Sequence, residues 1–263
     1  MLMSDLISSP SNPHIKQARA LRQKKGRDES GLFFVEGLLH VGEAVEAGWQ
    51  FESLFYCPDR LKSEFGKRLV GELQQKSIRC LPISEPAFES FSEKENPQGL
   101  AAIVHQKQRG LEEFSEFNFI VAVVSPQDPG NVGTILRTID AVGADGLILV
   151  DGGVEPYHPS AVRASMGTVF WKPFCSVTFA EFASWAGRCG MRIIGTSAHA
   201  TTDYRQVNLN DRRTILLLGS EQKGLLPEQI EICEELVCLR MHGRATSLNL
   251  AVAAGIFMYA LKG

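Results

Sequence analysis

Short apolar blocks alternate with amphipathic blocks along the amino-terminal part of the chain. Strands are predicted where the blocks are compact and apolar, at 32–35, 51–58, 79–81 and 100–105. Helices are predicted at 38–45, where Leu38, Val41 and Val45 recur at helical spacing, and at 61–75. This alternation indicates a small α/β domain over residues 1–105. Residues 106–117 are polar and charged, and they are predicted to link this domain to a second one at 118–263.

The carboxyl-terminal part repeats the alternation with more strongly apolar blocks. Phe119–Val124 is wholly apolar, which is typical of a strand inside a parallel sheet. A helix should follow, with Asn131 as its N-cap, Gly143 at its end and Arg137 opposite the buried face. That buried face is predicted from Val132, Ile135, Leu136, Ile139 and Val142. Further strands are predicted at 146–150, 192–195, 215–218 and 236–239, and a further helix at 180–188. The fold class is therefore α/β.

The last helix is poor in bulky side chains. It should begin near Ser247, whose hydroxyl is a suitable N-cap. A stripe at helical spacing is formed by Leu248, Ala251, Val252, Gly255, Ile256 and Tyr259. On periodicity alone this is a core helix, but Ser247 and Asn249 place small polar groups at a helix start, where polar ligands are readily held.

One strand of the second domain ends in glycine, Gly219. The carboxyl end of a central strand is where α/β folds bind ligands, because a glycine backbone can be approached closely. A plain turn glycine explains the residue equally well. No GxGxxG pattern is present, so the fingerprint of a nicotinamide-binding enzyme is absent.

Composition and charge narrow the range of possible functions and cellular locations. The net charge of −3 predicts no general attraction to nucleic acid, but residues 1–27 contain six basic residues and one acidic residue. The six cysteines lack metal-ligand spacing, and no apolar run is long enough to span a membrane. With no recognisable signal peptide, these features predict a cytoplasmic protein with reduced thiols and no metal.

Three short motifs of the second domain occur in a distinctive order. They are Asn131-x-Gly133-x-x-x-Arg137, Leu218-Gly219-Ser220-Glu221-x-x-Gly224-Leu225, and Ser247-Leu248-Asn249. Their order and separation resemble the SpoU-type RNA ribose 2′-O-methyltransferases of the SPOUT superfamily. FFVEG at 33–37 and SEKENPQG at 92–99 resemble the substrate-binding domain that commonly precedes that catalytic domain.

The resemblance implies a fold, a cofactor and an assembly. It implies a parallel sheet whose carboxyl-terminal segment forms a trefoil knot, which periodicity alone could not reveal. It implies S-adenosylmethionine as methyl donor and a homodimer with the site near the subunit interface. The residues that would contact the cofactor are Thr196, Gly219, Leu239, Met241 and Leu248.

The resemblance also implies catalytic roles for Asn131, Arg137, Glu221, Ser247 and Asn249. Arg137 would orient the ribose hydroxyl or phosphate and stabilise developing alkoxide charge, since a guanidinium keeps its proton too firmly to serve readily as a base. Asn131 would hold Arg137 or the ribose, and Glu221 would pair with Arg137 or orient its loop. Ser247 and Asn249 would fix the cofactor loop and the approaching nucleotide.

Two further sets of residues are candidates. His242, in the loop before the last helix, is a candidate for proton transfer. RNA phosphates would be contacted by Lys16, Arg19, Arg22, Lys24 and Lys25, which would supply affinity without sequence choice.

The favoured hypothesis is an S-adenosylmethionine-dependent ribose 2′-O-methyltransferase acting on structured RNA, with ribosomal RNA favoured over transfer RNA. The alternative is a non-catalytic RNA-binding protein that retains the fold. Neither the RNA nor the nucleotide can be named from one chain, because RNA is recognised largely through shape and exposed bases.

Overall fold

The computed structural model describes residues 6–209 and 212–263. They form two compact units. The first contains the residues up to Lys107 together with Tyr157–Phe170, and the second contains Gln108–Pro156 and Trp171–Gly263. Residues 157–170 therefore belong to the first unit although they lie within the predicted range 118–263. The last ten residues of the predicted linker, 108–117, lie in the second unit.

The first unit is built around a four-stranded sheet of order β1-β4-β2-β3. Its elements are α1 (Pro13–Ala20), α2 (Lys24–Ser30), β1 (Leu32–Glu36), α3 (Leu38–Glu46), β2 (Phe51–Tyr56), α4 (Glu64–Gln75), β3 (Arg79–Pro82), α5 (Glu85–Glu89) and β4 (Leu100–His105). β4 pairs antiparallel with β1 and β2, and β2 pairs parallel with β3. The strands follow the predicted apolar blocks closely, because each block is short and bounded by turn residues.

An aromatic cluster explains why residues 157–170 belong to the first unit. Phe33 on β1 contacts Trp49, Tyr157 and Phe170, with ring centroids 5.8, 4.6 and 6.2 Å away. The Trp49 indole N–H donates to the Phe170 carbonyl at 2.8 Å. The Tyr157 hydroxyl and the Lys107 backbone exchange two hydrogen bonds of 2.8 Å. Buried aromatic pairs of this kind contribute about 0.5–1.5 kcal/mol each beyond their area burial.

The second unit is a seven-stranded sheet of order β7-β6-β5-β10-β8-β11-β9 in which all pairs are parallel. Its elements, with α7 of the first unit in its place in the chain, are β5 (Phe119–Val124), α6 (Pro129–Val142), β6 (Gly146–Val150), α7 (Pro159–Ala164), β7 (Phe174–Val177), α8 (Phe179–Cys189), β8 (Arg192–Thr196), β9 (Thr202–Asp203), β10 (Thr214–Leu218), α9 (Pro227–Glu231), β11 (Glu235–Cys238) and α10 (Leu250–Lys262). The central strands β5 and β10 are buried throughout, which confirms the prediction of a parallel α/β sheet.

The core of this unit includes a residue of the predicted linker. Phe114, in a 3-10 turn at Leu111–Phe114, is fully buried in the same core as Trp185 and Phe182. The polar composition of 106–117 concealed this apolar anchor. None of the helices within the described residues is long and apolar enough to cross a membrane.

α10 buries a different face from the predicted stripe. Val252 and Tyr259 are 52% and 57% exposed, and Leu248 lies outside the helix. The buried side chains are Leu250, Ala251, Ala254, Phe257, Met258 and Leu261. The prediction was wrong because almost every position of this helix is apolar, so periodicity could not distinguish its two faces.

Candidate active site

Three neighbouring strands of the second unit end side by side. Leu217 of β10 pairs with Gly195 of β8, and Gly195 pairs in turn with Leu236 of β11. The residues that follow, including Thr196 and Gly219, therefore lie at the same edge of the sheet, which is where α/β folds bind ligands.

Position 219 requires glycine because the backbone of Gly224 and Leu225 lies very close to it. A Cβ atom there would lie 2.2 Å from the Gly224 carbonyl carbon and 2.4 Å from the Leu225 nitrogen. Ser220 and Gly224 close the turn with two backbone hydrogen bonds of 3.1 and 2.9 Å, and Gly224 has a φ of +66°. The glycine therefore has a steric function in this loop and is more than a turn residue.

The three motifs meet in one hydrogen-bond network. The Asn131 side-chain amide donates to Glu221 Oε1 at 3.2 Å, and the Asn249 amide donates to Asn131 Oδ1 at 2.9 Å. The Gln127 backbone N–H adds a bond to the Glu221 carboxylate at 3.3 Å. Asn131 itself is 8% exposed. The network connects the start of α6, the glycine loop and the start of α10.

Within one chain, these contacts do not include the Arg137 partner that was one of the two alternatives for Asn131 and for Glu221. Asn131 and Glu221 bond to each other, and neither bonds to Arg137. Arg137 is exposed on α6, and within the described residues it has no hydrogen-bond or ion-pair partner and is not part of the cavity described below. Its position opposite the buried face of α6 is as predicted.

Asn131 is not the N-cap of α6. Asp128 has that role, since its carboxylate accepts from the Gly130 N–H at 2.6 Å and Pro129 occupies the first helical position. Asp128 and Asn131 are both suitable caps, and the pattern did not distinguish them. Because Asp128 caps the helix, the Asn131 side chain is available to bond across to Glu221.

Ser247 is not the N-cap of α10 either. Asn249 accepts from the backbone N–H groups of Ala251 and Val252 at 2.9 and 3.3 Å, so the helix begins two residues later than predicted. A single side chain thus caps α10 through its oxygen and binds Asn131 through its nitrogen. Ser247 is exposed in the loop before the helix.

An open cavity of about 1180 Å³ lies at this edge of the sheet. All five predicted cofactor residues line it, namely Thr196, Gly219, Leu239, Met241 and Leu248. Asn131, Glu221, Ser247 and Asn249 line it as well, as does His242. Its wall also includes residues not predicted, among them Ser197, His199, Leu225 and Phe257. Ser197 and His199 follow the carboxyl end of β8, and that position is the signal that could have identified them.

The cavity suits the cofactor that the resemblance implies. Leu218, Leu225 and Phe257 provide an apolar wall of the kind against which a flat base packs. Glu221 supplies a negative charge for a sulfonium. No group of three or more histidine, cysteine or acidic side chains among the described residues could hold a metal ion.

The two arginines of the predicted RNA-binding set bind their own chain. Arg19 donates from Nε to the Ser90 carbonyl at 3.1 Å. Arg22 donates to the Ser92 carbonyl at 2.8 Å and pairs with Glu93 at 3.4 Å. Both side chains therefore hold the 90–93 segment against α1, a role that charge counting did not predict.

The lysines of that set are more accessible. Lys24 pairs with Asp28 at 2.6 Å, and Lys25 lies 3.7 Å from Glu29, each in an exposed i,i+4 pair. Lys16 is exposed and has no partner among the described residues. Exposed pairs of this type are worth less than about 1 kcal/mol, so these cations can exchange partners readily.

The two amino-terminal motifs bind each other within the first unit. Glu36, at the end of β1, accepts from the Ser92 hydroxyl and from the Glu93 N–H at 3.0 Å. The Gln98 side-chain oxygen accepts from the Leu38 N–H at 3.1 Å, at the start of α3. The motifs therefore connect the β1–α3 junction to the 92–99 loop.

Comparison with known families gives two matches. A model described as the SpoU rRNA Methylase family matches residues 118–259. A model described as the MRM3-like substrate binding domain matches residues 12–102. Together they cover most of both predicted domains.

Relatives and solved structures agree with these matches over nearly the whole chain. The 23S rRNA (guanosine(2553)-2'-O)-methyltransferase of Bacillus subtilis is 30% identical over 98% of this chain and 99% of its own length. The 23S rRNA (uridine(2479)-2'-O)-methyltransferase of Streptomyces viridochromogenes is 30% identical over 94% of this chain and 88% of its own. The crystal structure of an AdoMet-bound rRNA methyltransferase from Sinorhizobium meliloti has a TM-score of 0.89 at 34% identity, covering 98% of this chain and 97% of that one.

Proposed function

The chain belongs to the SpoU rRNA methylase family, and from this premise we propose that it transfers a methyl group from S-adenosylmethionine to a ribose 2′-hydroxyl of ribosomal RNA. The observation that carries the proposal is the Asn131–Glu221–Asn249 network, which joins all three motifs at one cavity. The full-length relatives named above are 23S rRNA 2'-O-methyltransferases. A non-catalytic RNA-binding protein would have no need of this intact constellation.

The cofactor would occupy the cavity at the strand ends. We assign its contacts to Thr196, Gly219, Leu239, Met241 and Leu248, all of which line that cavity. When bound, S-adenosylmethionine supplies an activated methyl group for in-line displacement by the ribose oxygen. The protein must then hold that oxygen in line and stabilise the charge that develops on it as its proton leaves.

The network would supply the positioning. Glu221 is held by Asn131 and by the Gln127 N–H, so its carboxylate is fixed beside the cavity. Asn131 and Asn249 each donate only one of their two amide hydrogens within the network, which leaves donors for the nucleotide. Ser247, exposed on the cavity wall, would contact the nucleotide or the cofactor loop.

Arg137 would complete the site from a second copy of the chain. It is exposed and does not line the cavity of its own chain, so a homodimer is the arrangement in which it reaches a reacting hydroxyl. The exposed Val252 and Tyr259 on α10 support a homodimer, because apolar side chains clustered on a helix face mark association surfaces. A guanidinium delivered there would orient the hydroxyl and stabilise developing alkoxide charge.

The domain roles and the chain topology are part of the same proposal. Residues 1–105 would bind the RNA substrate, 106–117 would link the domains, and 118–263 would carry out methyl transfer. We propose a trefoil knot in the carboxyl-terminal segment because the resemblance implies one. The 203–209 segment packs on α10, where Tyr204 lies 5.9 Å from Phe257 and the Leu209 N–H donates to the Leu261 carbonyl at 3.2 Å. The six free cysteines are consistent with the reducing cytoplasm, where we place the protein.

Methyl incorporation tests the proposal directly. Purified protein is incubated with methyl-labelled S-adenosylmethionine and ribosomal RNA from cells that lack the gene. We expect label in the RNA, at a position that resists alkaline hydrolysis because its 2′-oxygen is blocked. Ribosomal RNA from cells that carry the gene is the matched control and should accept little label. If the protein binds the cofactor and labels neither ribosomal RNA nor transfer RNA from cells that lack the gene, the catalytic proposal is wrong and the RNA-binding alternative replaces it.

A further inference from the structure

A shallow basic depression adjoins the cofactor cavity. It has a volume of about 490 Å³ and is lined by Asp203, Arg205, Gln206, Arg240 and His242. Arg240 and His242 also line the cavity, so the two recesses share one wall. The loop that forms this wall carries Met241, one of the proposed cofactor contacts.

One carboxylate organises the depression. Asp203 accepts from Arg205 Nε at 2.8 Å through Oδ1 and from Arg205 Nη2 at 3.0 Å through Oδ2. The hydrogen bonds from Arg205 lower the pKa of Asp203 to about 2, so its charge persists at any physiological pH. This pairing uses only one edge of the guanidinium fork. The edge formed by Nη1 and the second Nη2 hydrogen is left for another acceptor.

Arg205 is held in place although it is exposed. Its side chain is 69% accessible to solvent, yet its guanidinium lies over the Tyr204 ring at 5.7 Å from the centroid. The Tyr204 ring in turn packs edge-on against Phe257 of α10 at 5.9 Å. An arginine fixed in this way loses little side-chain entropy when its free edge binds a planar or tetrahedral anion.

Arg240 adds a second cation to the same carboxylate. Its Nε lies 3.9 Å from Asp203 Oδ2, and its side chain is 61% exposed. Two guanidinium groups therefore share one carboxylate and leave an unbalanced positive charge in the depression. The chemistry suits a phosphate, which accepts forked hydrogen bonds and carries one negative charge per diester.

We propose that Arg205 and Arg240 bind a phosphodiester group of the RNA substrate beside the cofactor cavity. The proposal rests on the RNA methyltransferase function proposed above. Because the Arg240–His242 loop lines both recesses, a phosphate held there would fix the RNA backbone at a set distance from the methyl donor. These arginines would thus position the substrate without contributing to the chemistry.

Substitution of each arginine tests the proposal. Arg205→Ala and Arg240→Ala should each weaken binding of ribosomal RNA, taken from cells that lack the gene, by about tenfold, and lower the slope of log affinity against log salt by about one. Under methylation conditions the KM for RNA should rise while kcat at saturating RNA changes little. Arg205→Lys should recover part of the affinity, because it restores the charge without the fork.

The control is an arginine with a similar local structure elsewhere in the unit. Arg212 also forms a bidentate pair, with Glu234 at 2.6 and 2.8 Å, and it does not line the depression. Arg212→Ala should leave RNA affinity and its salt slope unchanged. Equal losses in the Arg205, Arg240 and Arg212 variants would indicate a general charge effect and overturn the proposal.

A measurement of S-adenosylmethionine affinity distinguishes an RNA phosphate from the cofactor carboxylate as the anion that the depression binds. Calorimetry with S-adenosylmethionine should give the same affinity for Arg205→Ala and the unaltered protein, because Arg205 does not line the cofactor cavity. If this substitution weakens cofactor binding and leaves RNA binding intact, the cluster holds the carboxylate of the methyl donor and the proposal is wrong. RNA binding is measured without cofactor, so loss of RNA affinity would support the phosphate site even if no methylation were detected.

Discussion

The start and the middle of α6 differ in how many contacts they make within one chain. At its start, Asn131 is 8% exposed and bonded to both Glu221 and Asn249. Further along the helix, Arg137 is exposed and lacks a partner among the described residues. Both residues belong to the same motif, yet only one of them is at the cavity of its own chain.

α10 shows the same contrast. Its first turn is capped by Asn249 and joined to α6, and Phe257 reaches the cavity wall. Its opposite face leaves Val252 and Tyr259 more than half exposed. The difference teaches that the residues of one chain line the cavity by themselves, whereas the outward-facing groups on both helices would contact the partner in the homodimer proposed above.

The strongest way to break this comparison is to remove Arg137. Arg137→Ala should reduce methyl transfer by about a thousandfold, the scale of losing one group that stabilises developing negative charge. The affinity for S-adenosylmethionine, measured by calorimetry, should be nearly unchanged because Arg137 does not line the cavity. Normal methylation by this variant would show that its assigned role is wrong even though the family is established.

Mixing two inactive variants shows in which chain Arg137 acts. Arg137→Ala and Glu221→Ala chains are unfolded, mixed and refolded together, so that half of the dimers carry one of each. If the arginine serves the partner's cavity, one site in each mixed dimer is intact, and about a quarter of the activity should return. No recovery would place Arg137 in its own chain's site. Adding Tyr259→Asp to both chains should abolish the recovery, with monomers seen by light scattering.

Gly219→Ala tests the cavity itself, which is lined by residues of a single chain. The added methyl group would lie 2.2 Å from the Gly224 carbonyl carbon, which is backbone and cannot rotate away. We expect the turn to shift at a cost of about 1–3 kcal/mol in unfolding free energy, and cofactor affinity to fall at least about tenfold. Chemical denaturation and calorimetry measure the two effects.

The control for that substitution is a glycine that has room for an added methyl group. Gly187 lies within α8, and an added Cβ would have no atom within 4 Å apart from its chain neighbours and the backbone of its own helix. Gly187→Ala should raise stability by about 0.5–1 kcal/mol and leave cofactor affinity unchanged. A loss of cofactor binding in both variants would mean that the Gly219 effect is not local to the cavity.

The apolar blocks of the sequence predicted the central strands well, because wholly buried strands such as Phe119–Val124 are unbroken and bounded by turn residues, whereas the edge strands β7 and β9 were not predicted. The family resemblance carried by the three motifs named five cofactor residues that line a single cavity, and their contact with the cofactor stays a prediction.

The differences from the prediction share another cause: the local pattern does not show which side chain has a partner that is distant in the chain. Asp128 and Asn131 both suit an N-cap, as do Ser247 and Asn249, and the choice depends on which side chain has a distant partner. Arg19 and Arg22 looked free because their acceptors, the carbonyls of Ser90 and Ser92, are remote in sequence. Tertiary contacts decided each case, and local pattern does not contain them.

The smallest expected effect is on the free energy of unfolding when either Ser247 or Asn249, the two candidate N-caps of α10, is replaced. The Asn249 substitution also tests the contact between α6 and α10. Asn249→Ala removes an acceptor for two backbone N–H groups and the donor to Asn131, so we expect a loss of about 1–2 kcal/mol in unfolding free energy. Ser247→Ala should change stability by less than about 0.5 kcal/mol, since Ser247 is exposed and outside the helix. Denaturant titration of both variants gives the comparison.

Equal losses of stability in the two variants would mean that Ser247 supports the helix start after all. Equal neutrality would mean that the contact between Asn249 and Asn131 adds nothing to folding, and that its value lies in holding Asn131 against Glu221, which the methylation rate of Asn249→Ala would then report.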